Sequence, residues 1–494
     1  MTGITTLDLV VLVVYLAGIT AWGMWLGRGQ EGGRDYFLGG RDLPWPAVML
    51  SVVATETSTL TFLSVPGVAY FGTMGFLQLT FGYLVGRVGI ALLLLPRYYR
   101  GKLSTAYQLL EERFGRGTRR FTSGIFMVTR LLADSVRLFA TAIPLALITG
   151  WPYWVSILVI GLLTLAYTYF GGIRAVVWID VAQMVLYVVG AVAAAVLLES
   201  LLPGGWGGAL ASAADAGKLQ VVDTALDFGR PYTLWAGVFG GAFITMASHG
   251  ADQLVVQRLL TTRSLRSGQR ALVGSGVLVM GQFLVFLLLG LGLWSLYGGQ
   301  EIARPDEVFA RFIVDRMPPG LAGLLIAGVF AAAMSSLSSS LNSLSSAVAY
   351  DFVAPAAGVD RDDPRLLPVG RWATLVWAGL LVGGAVLFIP LSRDAAAVEV
   401  ALGAASMTYG GLLGGFALAL FVPTADSREA VVGMAAGVGA VAAVWTFARD
   451  AVAWPWFAVL GTAITLAVGW GLARLSPGRG TEAGSAPRGE GEPS

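Results

Sequence analysis

Thirteen stretches of 19–31 mostly apolar residues run through this 494-residue chain, at 6–28, 44–70, 74–97, 121–149, 152–170, 177–200, 232–252, 270–297, 320–350, 368–390, 396–422, 428–448 and 453–474. A helix needs about 20 such residues to cross a bilayer, so the sequence predicts an all-α integral membrane protein with 13 transmembrane helices. Charged side chains make up only 13% of the chain, roughly half the share of an average soluble protein. That leaves too little polar surface for a soluble enzyme of this size.

The arginines orient the spans. The first stretch has no basic residues before it and is followed by Arg28, so it reads as a retained helix with its N-terminus outside rather than a cleaved leader. With the spans alternating from there, 22 of the 32 Lys and Arg fall in inner loops, seven in outer loops and three within spans. This asymmetry matches the positive-inside rule and places the C-terminus in the cytoplasm. The expected location is the inner or plasma membrane. Residues 97–120 read as an amphipathic helix on the inner face, with Tyr107, Leu110 and Phe114 on one side. The Gly-, Pro-, Ser- and Glu-rich residues 476–494 read as a disordered tail, and no appended soluble catalytic domain is expected.

The scarce side chains exclude further chemistry. A net charge of +2 and only two lysines, Lys102 and Lys218, give nucleic acid nothing to bind. There is no Cys, and His249 is the single histidine, which removes disulfides, thiolate or multi-His metal sites and bis-His haem. Oxygens, backbone and a few charges remain.

Two spans are interrupted. Residues 54–61 put six polar side chains at membrane depth, among them Glu56, and are followed by Pro66 and Gly67. The second interruption is at 245–253, around His249. Backbone leaves the helix at such depth only where protein or water satisfies it. The breaks open two blocks of five helices, and because five is odd the second block runs opposite to the first. Paired broken helices in inverted repeats mark the binding site of a secondary transporter. The expected layout is an extra helix and inner loop at 1–43, a first repeat at 44–200, an outer loop at 201–231, a second repeat at 232–422, two further helices at 423–475 and the tail.

Segment nine carries a ladder of serines. Ser335, Ser339, Ser343 and Ser346 share one helical face, and Ser338 and Ser345 lie beside it. Small hydroxyl residues serve close helix packing, but Ser335, Ser336, Ser338 and Ser339 also crowd four oxygens into about one turn. Hydroxyls and freed carbonyls suit a hard monovalent cation such as sodium, whereas a proton would need a titratable relay. Among the charges, Asp180 serves either an ion or the membrane interface. Asp134 can neutralise Arg130 or Arg137, leaving one arginine for an anionic solute, unless another acid such as Glu56 completes a structural triad. Arg87 reads as a snorkelling residue, and His249 as a solute donor, a gate or a packed polar group.

On ATETSTLTFLSVPG (54–67), TAYQLLEERFG (105–115), YTYFGGIRAVVWIDVAQ (167–183), GADQLVVQRLL (250–260) and AAAMSSLSSSLNS (331–343), the chain resembles the sodium:solute symporter family over nearly all of residues 1–475. The resemblance implies the five-plus-five fold of the leucine transporter and sodium-coupled import of a small polar solute by alternating access. It places a main sodium site on the carbonyls of Ala54, Thr57 and Ala332 and the hydroxyls of Ser335 and Ser336. It places a second sodium on Asp180, Ser338 and Ser339, together with Ser335. One or two sodium ions are therefore the implied coupling ions, with no organic cofactor.

Candidate solute contacts are Glu56, Ser58, Phe76, Gln78, Arg137, Thr245, Ser248, His249 and Gln282. Glu56 and Arg137 acting together would suit a zwitterion such as an amino acid. If the two pair with each other, a neutral or anionic solute such as a carboxylate fits better. The only other expected partner is membrane lipid, with neither nucleic acid nor an obligatory protein. The competing readings are proton coupling, a sensor or scaffold, and a membrane enzyme, the last disfavoured by the lack of any nucleophile–base pair.

Overall fold

Hydrocarbon offers a peptide group no hydrogen-bond partner, so each buried stretch must bond along its own axis. Accordingly, all regular elements among the described residues are helical. The computed structural model describes residues 5–28, 33–57, 59–101, 103–302, 305–360, 363–390, 397–448 and 451–475. In chain order the helices are α1 (Thr6–Leu26), α2 (Gly33–Leu38), α3 (Trp45–Glu56), α4 (Thr59–Phe71), α5 (Leu77–Leu93), α6 (Leu95–Arg100), α7 (Gln108–Phe114), α8 (Arg116–Thr149), α9 (Tyr153–Leu201) and α10 (Gly205–Asp215). There follow α11 (Gly241–Thr245), α12 (Gln253–Leu259), α13 (Leu265–Leu296), α14 (Pro305–Arg316), α15 (Leu321–Ala347), α16 (Ala354–Ala357), α17 (Leu366–Phe388), α18 (Ala397–Phe421), α19 (Ser427–Phe447) and α20 (Pro455–Leu475).

Among the described residues, eight helical segments are long and apolar enough to cross a membrane, or nine if α3 and α4 form one broken span. At 1.5 Å per residue the 49 residues of α9 extend to about 74 Å, more than twice the hydrocarbon thickness. The helix turns a corner at Gly172, whose φ of 54° and ψ of −159° no L-residue adopts easily. That corner falls between the expected spans 152–170 and 177–200.

Both expected breaks are present, with altered boundaries. α3 ends at Glu56, and the axis turns by 60° before the chain resumes a helix. Pro66 belongs to α4 and not to the break. Pro66 and Gly67 serve helix packing instead. A Cβ on Gly290 of α13 would lie 2.0 Å from the Pro66 carbonyl, and one on Gly67 would lie 2.3 Å from the Pro305 carbonyl. The second break is built from π-helical turns at Ala236–Gly240 and Met246–Ala251, ending in extended backbone at Asp252. Such turns loosen the i→i+4 ladder and recur at functional sites.

The expected amphipathic helix at 97–120 is corrected. This stretch is divided among the end of α6, α7 and the start of α8. Tyr107, Leu110 and Phe114 are buried inside the protein rather than laid against lipid. The tail 476–494 lies outside the described residues.

α15 is buried along nearly its whole length, packed against α9, α1, α8 and α17. Three of its hydroxyls are satisfied within the helix: Ser338 and Ser339 donate to the Ser335 carbonyl, and Ser345 donates to that of Leu341. Its N-terminus is capped from α1. The Asp8 carboxylate accepts from the backbone N–H of Gly320 and of Gly323, each at 2.7 Å, two donors a helix start leaves unpaired. Asp8→Ala should therefore destabilise the protein by about 1.5–3 kcal/mol, the range for hydrogen bonds to a charged group. A thermal melt in detergent checks this, with Asp8→Asn retaining part of the loss.

Candidate functional site

The two breaks face one cavity of about 300 Å³. The first supplies Thr55 and Glu56, with Thr61 and Ser64 beyond the bend; the second supplies Thr245, Ser248 and His249. Arg130 and Arg137 reach it from α8, and Ala405, Ser406 and Tyr409 from α18. Its remaining walls are rich in aromatics, including Phe76, Tyr83, Tyr232 and Phe283. A mostly apolar chamber with a few convergent polar groups is the usual form of a small-molecule site.

Of the nine candidate solute contacts, Glu56, Phe76, Arg137, Thr245, Ser248 and His249 line this cavity. Ser58 lies outside the described residues. Gln78 and Gln282 are not part of the wall. Gln78 donates from Nε2 to the carbonyls of Gly75 and Tyr232, both at 3.1 Å, and accepts from the Asp223 N–H at 3.0 Å. It thus fastens the loop after α10 to the start of α5. Gln282 accepts from the Thr57 hydroxyl at 3.0 Å, and its buried Nε2 has no partner among the described residues.

The snorkelling expected of Arg87 is corrected. Its side chain is fully buried, and Nη2 donates to Glu56 Oε2 and to His249 Nε2, the latter at 3.1 Å. His249 Nε2 also lies 3.5 Å from Glu56 Oε2, so the imidazole packs against both members of the Arg87–Glu56 pair. Nδ1 lies 2.8 Å from Ser248 Oγ. Glu56 pairs with Arg87 and not with Arg137, because a carboxylate at this depth requires the charge packed directly against it.

The arginines of α8 also divide. Arg130 pairs with Asp252 at the end of the second break and donates to the Tyr409 hydroxyl at 2.7 Å. Asp134 accepts from Arg137 at 3.2 Å and from Ser340 at 2.5 Å, with Arg130 3.7 Å away. Arg137, a quarter exposed, is left as the guanidinium most open to the chamber.

Behind the cavity, α3, α9, α12 and α15 meet at Asp180. This carboxylate is fully buried within the protein. It accepts from Ser335 at 2.7 Å, Ser51 at 2.5 Å and Arg258 at 3.2 Å. Arg258, which follows the expected span 232–252, is itself fully buried and also donates to Ser51 and Ser339. Thr55 Oγ1 at the first break is 3.4 Å from Ser339 Oγ, and Ser336 donates to the Ala332 carbonyl at 3.2 Å. The broken helix and the serine ladder are therefore in contact. Among the described residues there is no cluster of three acids or histidines able to hold a divalent metal. The donor set of hydroxyls, carbonyls and one compensated carboxylate suits a monovalent cation.

Sequence reasoning missed Arg87, Arg258 and Asp252 as site residues. Only the i,i+4 and i,i+3 pairs of Asp134 had a local signal, since neighbours on one helix face sit at those spacings.

A fold of this kind recurs in known proteins. The model of the sodium:solute symporter family matches residues 36–437. The sodium/sialic acid symporter SiaT of Proteus mirabilis is 31% identical over 445 residues, 88% of each chain. The human sodium-coupled monocarboxylate transporter 1 is 29% identical over 435 residues, 86% of this chain and 70% of that protein. A solved structure of a Na+-coupled sialic acid symporter in a substrate-bound outward-open state superposes with a TM-score of 0.87 at 28% identity, covering 96% of this chain and 98% of that one.

Proposed function

The chain belongs to the sodium:solute symporter family and couples solute import to sodium, and on that premise we propose that its solute is a small carboxylate held by Arg137 in the cavity between the two breaks. The observation that carries this reading is the division of charge. Glu56 is matched by Arg87 and offers no free negative charge, whereas Arg137 is partly exposed to the chamber and shares Asp134 with Arg130. A planar guanidinium suits a carboxylate, binding it by two N–H donors at once. The solutes named for the relatives above, sialic acid and monocarboxylates, also fit an anion-selecting chamber.

Sodium, as co-substrate, takes the Ala54, Thr57 and Ala332 carbonyls and the Ser335 and Ser336 hydroxyls. Asp180, Ser338 and Ser339 supply a second position, next to the Asp180–Arg258 pair. Ser335 links the two, because its hydroxyl donates to Asp180 while its lone pairs remain free for a cation. Ion binding would hold the first break against α15 and complete the solute chamber, and helix rocking would then expose the chamber to the other side. The same reading takes 13 spans with the N-terminus outside, and divides the chain into an extra helix (1–43), two inverted repeats (44–200 and 232–422) around an outer loop (201–231), and two further helices (423–475).

The test is uptake into proteoliposomes under an imposed sodium gradient, across lactate, pyruvate, N-acetylneuraminate, neutral sugars and amino acids. Sodium-dependent uptake of carboxylates is expected, and uptake confined to neutral sugars would sink the assignment. Arg137→Gln should raise KM for the transported carboxylate about 10- to 100-fold, the value of one charge-assisted pair. Counting sodium ions per solute by reversal potential tests the second ion position, which a ratio of one rules out.

A further inference from the structure

Beside the solute cavity lies a second one of about 260 Å³, and the two share a wall, since Val68, Phe76 and Tyr232 line both. The Phe76 and Tyr232 rings, 5.6 Å between centroids, form the partition. The far side is built from Thr73 and Gly75 and from Gln220, Asp223 and Arg230 of the loop after α10. That loop is fastened at both ends. Lys218 Nζ donates to the carbonyls of Tyr70 and Gly72 at 2.8 and 2.9 Å, and Gln78 holds the backbone of Asp223 and Tyr232. The chamber walls are therefore fixed in place by named bonds.

Its charged content is one guanidinium with a counter-ion. Arg230 Nη2 lies 2.6 Å from Asp223 Oδ2, and Asp223 Oδ1 accepts from the Ala225 N–H at 3.0 Å. The aspartate thus has one oxygen on the backbone and one on the arginine. The other N–H groups of Arg230 make no hydrogen bond among the described residues, and its side chain is more than half exposed.

We propose that this vestibule is an outer binding station for the solute, with Arg230 taking the carboxylate before it passes Phe76 and Tyr232 to Arg137. The two chambers are of similar size, both near the lower end of small-molecule sites, and each presents one incompletely paired guanidinium. This inference rests on the carboxylate reading given above, and its test separates the two. The chain has no cysteine, so Gln220→Cys, which lines the vestibule, introduces the sole thiol. Relative to their rates with a free thiol, the anionic sulfonatoethyl methanethiosulfonate should gain severalfold over the cationic trimethylammonioethyl reagent, because Arg230 keeps donors to spare while both oxygens of its counter-ion are bonded.

Adding Arg230→Gln should abolish that preference, and adding Asp223→Asn should enlarge it. These opposite signs distinguish a binding role from a general disturbance of the loop. In uptake assays with the carboxylates above, Arg230→Gln should raise KM severalfold and leave the maximal rate unchanged. A missing preference, or one that survives Arg230→Gln, overturns the vestibule. An intact anion preference with sugar-only uptake overturns the carboxylate reading of the inner chamber and with it the transfer between stations.

Discussion

Ser335→Ala should weaken sodium binding at least 10- to 100-fold and lower solute uptake with it, because one hydroxyl serves two functions. It donates to Asp180 at 2.7 Å, and it is a ligand of the proposed main sodium site. Loss of groups that merely support a metal ligand already costs about 10- to 100-fold in affinity, and loss of the ligand itself should cost no less. Thermal stabilisation by sodium gives a direct readout. A ligand at 100 times its Kd stabilises the folded state by about 2.7 kcal/mol. A tenfold weaker site at the same sodium concentration retains about 1.4 kcal/mol.

The sodium-free melt should shift little, since Asp180 keeps Ser51 and Arg258. Ser335→Thr, which preserves the hydroxyl, should recover much of the sodium response. If Ser335→Ala leaves the sodium activation curve of uptake unchanged, sodium is not held there.

Arg258→Met carries the second large effect, this time on stability. Arg258 and Asp180 are both fully buried, and deleting one partner leaves an uncompensated charge in a low-dielectric interior, at about 3–5 kcal/mol. With an unfolding entropy of about 2.1 cal/mol/K per residue, that is a fall of roughly 3–5 °C in Tm for a chain of this length. The double variant Arg258→Met/Asp180→Asn removes both charges and should regain most of the loss. The interaction energy of this cycle measures the pair directly. An Arg258→Met protein as stable as the parent, with no gain in the double variant, would show that the pair contributes nothing.

Much of the architecture was legible because its causes are local. The lengths of apolar runs marked the long helices, and α13 and α17 begin and end within a few residues of the expected 270–297 and 368–390. The polar run at 54–61 marked a real break, although Pro66 proved to belong to α4. The serine ladder was visible from its 3.6-residue spacing. The amphipathic reading of 97–120 failed because periodicity shows that a face is apolar without showing whether lipid or protein covers it. Tyr107, Leu110 and Phe114 are covered by protein.

By itself, then, the sequence determined a helical membrane protein, where its helices break and which helix carries the hydroxyls. Each of these follows from chain length, local polarity and helical period. Only the tertiary structure decided which charge meets which. Arg87 pairs with Glu56 across 31 positions, Arg258 with Asp180 across 78 and Arg130 with Asp252 across 122. No local rule reaches so far, yet burial forces every such charge to find a partner. The pairings that result leave Arg137 open to the solute chamber.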